Sequence, residues 1–198
     1  MEMSEAAQLM EAAAHGHPGH THGGVDPHWW NSLEYVIRAT RTVTAAFNKA
    51  DPGNAAFYES NAGAYQNTLT DLSKWARREI GRIPAKDRKL ATAHLSMGYS
   101  AKDFGFKLIP VQGLNPNVPA TSQDLASAFD TIRKSRVRAV FAEQGVNPKH
   151  LARISAETGV IFGGELIADG NGTGPLASFT GVFAHNVRTT VNALATPP

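Results

Sequence analysis

The first half of the chain shows hydrophobic residues at every third or fourth position, which is the spacing of amphipathic helices. One such stretch runs from Leu33 to Phe47 and ends near Ala50. Asp26 is a good helix cap, and Pro27 suits a first helical position. The pattern therefore predicts a helix that begins at Asp26 and ends near Ala50.

A second and longer hydrophobic stripe follows. Asp51 and Pro52 repeat the start signal of the first helix. Apolar residues then recur by threes and fours as far as Ile83, and Pro84 closes the run. A stripe of this regularity predicts one long amphipathic helix over residues 52–83.

The second half of the chain alternates short apolar runs with helical patterns. The predicted strands are Lys89–Ala93, Lys107–Val111, Arg138–Ala142 and Val160–Gly163. The predicted helices are Met97–Phe104, a helix capped by Thr121 or Ser122 that ends near Lys134, Pro148–Thr158, and a last one from about Leu176 to Leu194 after the loop Gly170–Gly174. This alternation predicts an α/β fold in which helices flank a parallel sheet, with the long helix preceding it.

The first 25 residues carry a different signal. Met1–Ala14 is Ala-rich and predicts a short helix, whereas His15–Gly24 reads HGHPGHTHGG and predicts a mobile loop. Closely spaced histidines on such a loop can chelate a divalent metal ion. A tag remnant or a solvated spacer is the alternative, but the interspersed Gly, Pro and Thr favour metal capture. The histidines concerned are His15, His17, His20 and His22.

Composition excludes several classes of function. The 198 residues carry a formal charge of +2 from scattered basic residues, which argues against nucleic-acid binding. The absence of cysteine excludes thiolate metal sites, disulfides and a cysteine nucleophile. No apolar run reaches the roughly 20 residues that span a bilayer. We also expect no signal peptide, because the start lacks a basic segment followed by an apolar one.

Four polar residues are candidates for a ligand site, because open parallel sheets bind ligands beyond the carboxyl ends of their strands. His94 and Glu143 each follow a predicted strand directly, and Asp169 lies a few residues after another. His28 is expected in the first turn of the helix that begins at Asp26. Two imidazoles and one or two carboxylates suit a transition metal.

Each of these residues also has a simpler interpretation. A lone histidine more often makes a cap or a hydrogen bond than a metal bond. Asp169 precedes a glycine, as turn residues often do, and Glu143 could cap the following helix. Their shared placement at one edge of the predicted sheet is what favours a metal site.

Seven short motifs, in order, resemble those of the zinc and manganese solute-binding proteins that serve metal ABC importers. They span most of the chain, from Asp26 to Leu194, and the preceding His-rich loop resembles the zinc-specific branch of that family. The motifs are DPHWW at 26–30, DPGNAAFY at 51–58, TAHLSMGY at 92–99, QGL at 112–114 followed by Pro116, VFAE at 140–143, GEL at 164–166 extending to Asp169, and HN at 185–186.

The resemblance implies two α/β lobes joined by one long rigid helix. On that basis most of the amino-terminal lobe and the export signal lie outside this chain. Four segments are expected, namely a His-rich flexible segment at 1–25, a helical remnant of the amino-terminal lobe at 26–50, the linking helix at 51–84 and the carboxyl-terminal α/β lobe at 85–198.

The resemblance also implies a ligand set, made of His28, His94 and Asp169. Family members that favour manganese often have Glu at the position of His94, so zinc is favoured here and manganese remains possible. Glu143 is expected to support the site or cap a helix rather than bind the metal directly. Zinc prefers four ligands, so water, a loop histidine or a partner chain would complete the set.

The function that the resemblance implies is metal binding without catalysis, in the periplasm or outside the cell, with delivery to a membrane-bound ABC permease. A zinc hydrolase is one alternative, since a water position beside Glu143 would suit hydrolysis, but no HExxH motif supports it. A metal-binding adhesin or storage protein is another alternative. A fragment without any site is the third.

Overall fold

The structure is a computed structural model that describes residues 26–92, 96–111, 121–144, 149–170 and 172–195. Contacts divide the chain into two compact units, Met1–Asp71 and Leu72–Pro198. The predictions for Met1–Ala14 and His15–Gly24 fall outside the described residues, as does the prediction for His94.

Helix α1 of the first unit spans Leu33–Ala50 and follows a 3-10 turn at Trp29–Asn31. Its cap is Ser32, whose hydroxyl accepts a hydrogen bond from the backbone N–H three residues later. The prediction that the helix begins at Asp26 is therefore wrong. The Asp26 carboxylate accepts from the backbone N–H of His28 instead, so it closes a local turn ahead of the helix.

Helix α2 spans Ala55–Gly81 and confirms the long helix that the hydrophobic stripe predicts. Asp51 organises its start, because its carboxylate accepts hydrogen bonds of 2.8 Å from the side chains of Asn54 and Tyr58. The Tyr58 ring stacks on Phe47 of α1, with ring centroids 5.2 Å apart. This stacking ties α1 to the first turns of α2 within the first unit.

The second unit contains a four-stranded parallel sheet with the strand order β2-β1-β3-β4. The strands are β1 (Lys89–Thr92), β2 (Lys107–Pro110), β3 (Ala139–Glu143) and β4 (Ile161–Leu166). The helices are α3 (Gly98–Phe104), α4 (Ser122–Ser135), α5 (Lys149–Thr158) and α6 (Phe179–Leu194). The predicted α/β fold with a parallel sheet is confirmed, and Thr121 caps α4 in a capping box.

Two strands extend further than their sequence patterns indicate. Glu143 is the last residue of β3 rather than the residue after it. Strand β4 continues through Gly163 and Gly164 to Leu166, although paired glycines usually signal a break. A Cβ at Gly163 would overlap the Phe141 ring, so only glycine allows this close packing.

The sheet is covered on both faces, as parallel sheets require. Side chains alternate along each strand, so Ala91 and Val140 point to one face and Leu90 and Phe141 to the other. The first face forms a buried core with α4 and α5, to which Leu125, Ala128, Ile132, Leu151 and Ile154 contribute. Helices α3 and α6 meet through two aromatic side chains, since the ring centroids of Phe104 on α3 and Phe183 on α6 lie 6.1 Å apart.

Candidate metal centre

His28 is held by the carboxylate of Asp26, two residues before it. The ring nitrogen Nδ1 lies 2.6 Å from Oδ1 of Asp26, and the same oxygen accepts from the His28 backbone N–H at 3.0 Å. The side chain of His28 is 12% exposed and that of Asp26 is 24% exposed. An ionised carboxylate can only accept, so it favours the tautomer with the proton on Nδ1 and the lone pair on Nε2. Metal-ligating histidines commonly show this arrangement.

The position of His28 in the fold differs from the prediction. His28 precedes the 3-10 turn Trp29–Asn31 and does not lie in the first turn of α1, because α1 begins only at Leu33. Its ring meets the Trp30 ring edge to face, with centroids 5.5 Å apart. The carboxylate and the indole together restrict the orientation of the imidazole.

The other predicted ligands follow the carboxyl ends of the parallel strands in the second unit. β1 ends at Thr92, β3 at Glu143 and β4 at Leu166, so these three ends share one edge of the sheet. Asp169 follows β4 by three residues and is exposed. His94 follows β1 by two residues in the sequence, outside the described residues.

Glu143 is buried at this edge, with 2% of its surface exposed. The hydroxyl of Ser96, which precedes α3, donates a 3.1 Å hydrogen bond to Oε2 of Glu143. A buried carboxylate needs such donors, because loss of hydration is otherwise costly. The role of Glu143 beside the predicted ligands stays a prediction.

Two residues of α6 hold the end of β4, which the sequence patterns did not predict. The side chain of Asn186 accepts from the Ile167 backbone N–H at 2.9 Å and donates to the Ile167 carbonyl at 2.8 Å. Nε2 of His185 lies 2.9 Å from the carbonyl oxygen of Glu165. The HN dipeptide was visible as a motif, but pairing between a side-chain amide and a backbone 19 residues away has no spacing signature.

The described ranges contain no group of three or more His, Asp or Glu residues close enough to hold a metal ion. Because His94 and the histidines at 15–22 lie outside those ranges, the ligand set His28, His94 and Asp169 stays a prediction. Within the same ranges, no helix has the length and apolar character to cross a membrane.

Comparison with known proteins now assigns the family. The sequence matches the family described as "Zinc-uptake complex component A periplasmic" over residues 1–193. The chain belongs to this family. Its members are metal-binding substrate-binding proteins of ABC importers and not enzymes, so the family gives the zinc-hydrolase alternative no support.

Curated relatives of the chain carry different metals in their names. The chain is 35% identical to the "Manganese-binding lipoprotein MntA" of Bacillus subtilis, over 85% of this chain and 58% of the relative. It is 32% identical to the "Iron-binding protein YfeA" of Yersinia pestis, over 74% of this chain and 47% of the relative. The "Zinc-binding protein TroA" of Treponema pallidum is 29% identical, over 86% of this chain and 58% of the relative. The chain thus spans about half the length of these relatives.

Solved structures agree with the fold. The periplasmic zinc-binding protein TroA from Treponema pallidum superposes with a TM-score of 0.78 and 26% identity, covering 91% of this chain and 68% of that one. A manganese-bound periplasmic metal-binding protein from Candidatus Liberibacter asiaticus gives a TM-score of 0.77 at 23% identity, covering 89% and 66%. The second likeness concerns the fold alone.

Proposed function

We propose that this chain binds a divalent transition metal and presents it to the membrane permease of an ABC importer. The observation that carries this proposal is the Asp26–His28 pair in a member of this family. Its carboxylate places the proton on one ring nitrogen of His28 and directs the other toward metal binding. No chemical step beyond coordination is required.

The proposed ligands are His28, His94 and Asp169. Neighbouring strands are about 4.8 Å apart, and an extended chain advances at most about 3.6 Å per residue. His94 stands two residues beyond the end of β1, and Asp169 stands three beyond the end of β4, with only β3 between these strands. In the sequence, His94 and Asp169 therefore both follow strands that end at the sheet edge carrying Glu143, which supports the proposal of a shared ion.

Zinc is the proposed cargo. His94 offers an imidazole where manganese-favouring members often offer a carboxylate, and imidazole suits zinc well. Three protein ligands leave one position of tetrahedral zinc for water or for a histidine of the segment His15–His22. The manganese and iron in the names of relatives make those two ions the competitors to test.

The segments of the chain have separate roles in this proposal. Residues 1–25 capture metal weakly through their histidines. Residues 26–50 supply His28 on a helical remnant of the amino-terminal lobe, 51–84 form the linking helix, and 85–198 form the carboxyl-terminal lobe. The protein works in the periplasm or outside the cell at the membrane, where a permease and its ATPase receive the metal.

The ligand assignment is tested by titrating the metal-free chain with zinc in competition with a chelator of known affinity. We expect one tight site per chain, lost in His94→Ala and in Asp169→Ala. The matched control is Asp130→Asn, which removes an exposed carboxylate paired with Lys134 on the same helix face. Unchanged tight binding in both ligand variants would refute the assignment. Repeating the titration with manganese and ferrous iron ranks the three metals.

The role of the His-rich segment is tested separately by deleting His15–His22. We expect the weaker zinc sites to disappear while the tight site keeps its affinity. Loss of the tight site in the deletion variant would overturn this division of labour.

A further inference from the structure

We propose that Asn186 is a positioning residue for the Asp169 carboxylate, acting through the backbone that leads to Asp169. This inference rests on the proposed function, because Asp169 is a ligand only in that proposal. It concerns a residue outside the proposed ligand set, whose side-chain amide is bonded to the backbone of Ile167.

The contact between Asn186 and Ile167 uses both ends of the side-chain amide. Oδ1 accepts from the Ile167 N–H at 2.9 Å, and Nδ2 donates to the Ile167 carbonyl at 2.8 Å. An amide presents a donor and an acceptor in one plane, so it pairs with a residue as a neighbouring strand would. The two bonds therefore restrain the two peptide groups on either side of the Ile167 Cα.

The backbone at this point is held from both sides. On the β3 side, the Gln144 N–H donates to the Leu166 carbonyl at 2.8 Å. On the other side, Asn186 holds Ile167, which is 4% exposed. Asp169 stands only two residues further along and is exposed. Because only Ala168 lies between Ile167 and Asp169, the backbone orientation at Ile167 limits the positions that the Asp169 carboxylate can reach.

Helix α6 has other attachments to the sheet. Val182, Phe183 and Val187 are buried on it, and His185 contacts the carbonyl of Glu165. These contacts hold the helix in place, whereas the Asn186 bonds act on the residue nearest to Asp169. Residues that orient a metal ligand typically change affinity by about tenfold to hundredfold when they are replaced.

The test measures zinc affinity and metal-free stability of the full chain in five forms, namely wild type, Asn186→Ala, Asp169→Ala, their double variant and His185→Ala. We expect Asn186→Ala to weaken zinc binding by about tenfold. His185→Ala is the matched control on the same helix and strand, and it should change affinity by less than about twofold. Amide hydrogen exchange at Ile167 should accelerate in metal-free Asn186→Ala, which reports the lost bond without any metal.

The double variant separates positioning from general structural support. If Asn186 acts through Asp169, adding Asn186→Ala to Asp169→Ala causes no further loss of zinc affinity. A double variant whose loss of zinc affinity equals the sum of the two single losses, in free energy, would overturn the inference. Full affinity in Asn186→Ala, with binding lost in Asp169→Ala, would overturn it while leaving the proposed function intact. Unchanged affinity in Asp169→Ala would overturn the ligand assignment and this inference together.

A milder variant keeps the test decisive if Asn186→Ala does not fold. Asn186→Asp retains an acceptor for the Ile167 N–H but loses the donor to the Ile167 carbonyl, so its affinity should lie between those of wild type and Asp169→Ala. Wild-type affinity in Asn186→Asp would contradict the role of the second hydrogen bond.

Discussion

The Ser96 hydroxyl donates to the buried carboxylate of Glu143 across 47 positions of sequence. Ser96 precedes α3, whereas Glu143 closes β3, so this 3.1 Å bond joins two separate stretches of the sheet's carboxyl edge. A carboxylate that is only 2% exposed depends on such donors for its solvation. The bond is thus a local support of the carboxyl edge of the sheet.

Replacing Ser96 with alanine should reduce the free energy of unfolding by about 1–3 kcal/mol, because it withdraws a donor from a buried charged group. Urea denaturation of the metal-free chain measures the change. Ser122→Ala is the control, since Ser122 is exposed at the start of α4 and its loss should stay within about 0.5 kcal/mol. Equal effects of the two substitutions would show that the Ser96 bond contributes nothing.

Asp26→Asn should weaken zinc binding by about tenfold to hundredfold with little change in fold. Asparagine keeps an oxygen near Nδ1 of His28 but lacks the negative charge, so it holds the ring less firmly in the orientation that presents Nε2. Zinc titration and circular dichroism measure affinity and fold. Wild-type zinc affinity in Asp26→Asn would show that the Asp26 carboxylate does not support metal binding. Asp130→Asn again controls for the loss of one negative charge.

The bond between Tyr58 and Asp51 should stabilise the protein in a defined pH window. The side chain of Asn54, followed by that of Tyr58, lowers the pKa of Asp51 below its ordinary 3.8. A lowered folded pKa gives stability that is fully present above about pH 4 and is lost as pH falls through the folded pKa. The stability difference between wild type and Tyr58→Phe should therefore be constant near neutrality and shrink at acid pH.

The hydrogen bond between Tyr58 and Asp51 should also lose its stabilising effect at alkaline pH. The hydrogen bond to Asp51 is the main cause that raises the pKa of Tyr58 above 10.0. A raised folded pKa gives stability that is present below about pH 10 and lost as pH rises through the folded value. Denaturant midpoints of both variants across the pH range would check this, and a difference that grows at either extreme would contradict the assignment.

Two glycine substitutions should have opposite effects on stability. Gly163→Ala should destabilise the protein by about 1–3 kcal/mol, because its Cβ would overlap the Phe141 ring. Gly63→Ala should stabilise it by about 0.5–1 kcal/mol, because Gly63 is exposed within α2 and the added Cβ would have no atom within 4 Å beyond its chain neighbours and the local helix backbone. Thermal or urea unfolding measures both changes in stability. A change of the same sign in the two variants would refute the packing argument.

Periodicity and strand alternation were enough to predict the α/β fold and most of its elements. The errors arose where a side chain had a competing partner. Asp26 is typical of a helix cap, but its carboxylate bonds to His28, and Ser32 caps α1, which begins only at Leu33. The predicted strand Val160–Gly163 ends too early, because β4 continues to Leu166, and the Phe141 ring requires a residue without Cβ at Gly163.

The site was less predictable than the fold. Family motifs and strand ends single out His28 and Asp169 as candidates, but they misplace His28 in the first turn of α1 and do not reveal the supporting contacts of either residue. The Asp26–His28 pair depends on a turn geometry that starts before the helix. The Asn186–Ile167 pair joins a helix side chain to a strand backbone, and sequence periodicity carries no information about such a contact.

The contacts of α6 with β4 also bear on self-association. In the described part of the chain, β4 is the terminal strand of the sheet, and terminal strands can recruit a strand from another molecule. The peptide groups that a newcomer would pair with at Glu165 and Ile167 are already engaged by His185 and Asn186. Strand addition there would first have to displace the helix, so the same two side chains protect a concentrated solution of the protein from edge-to-edge aggregation at this end of the sheet.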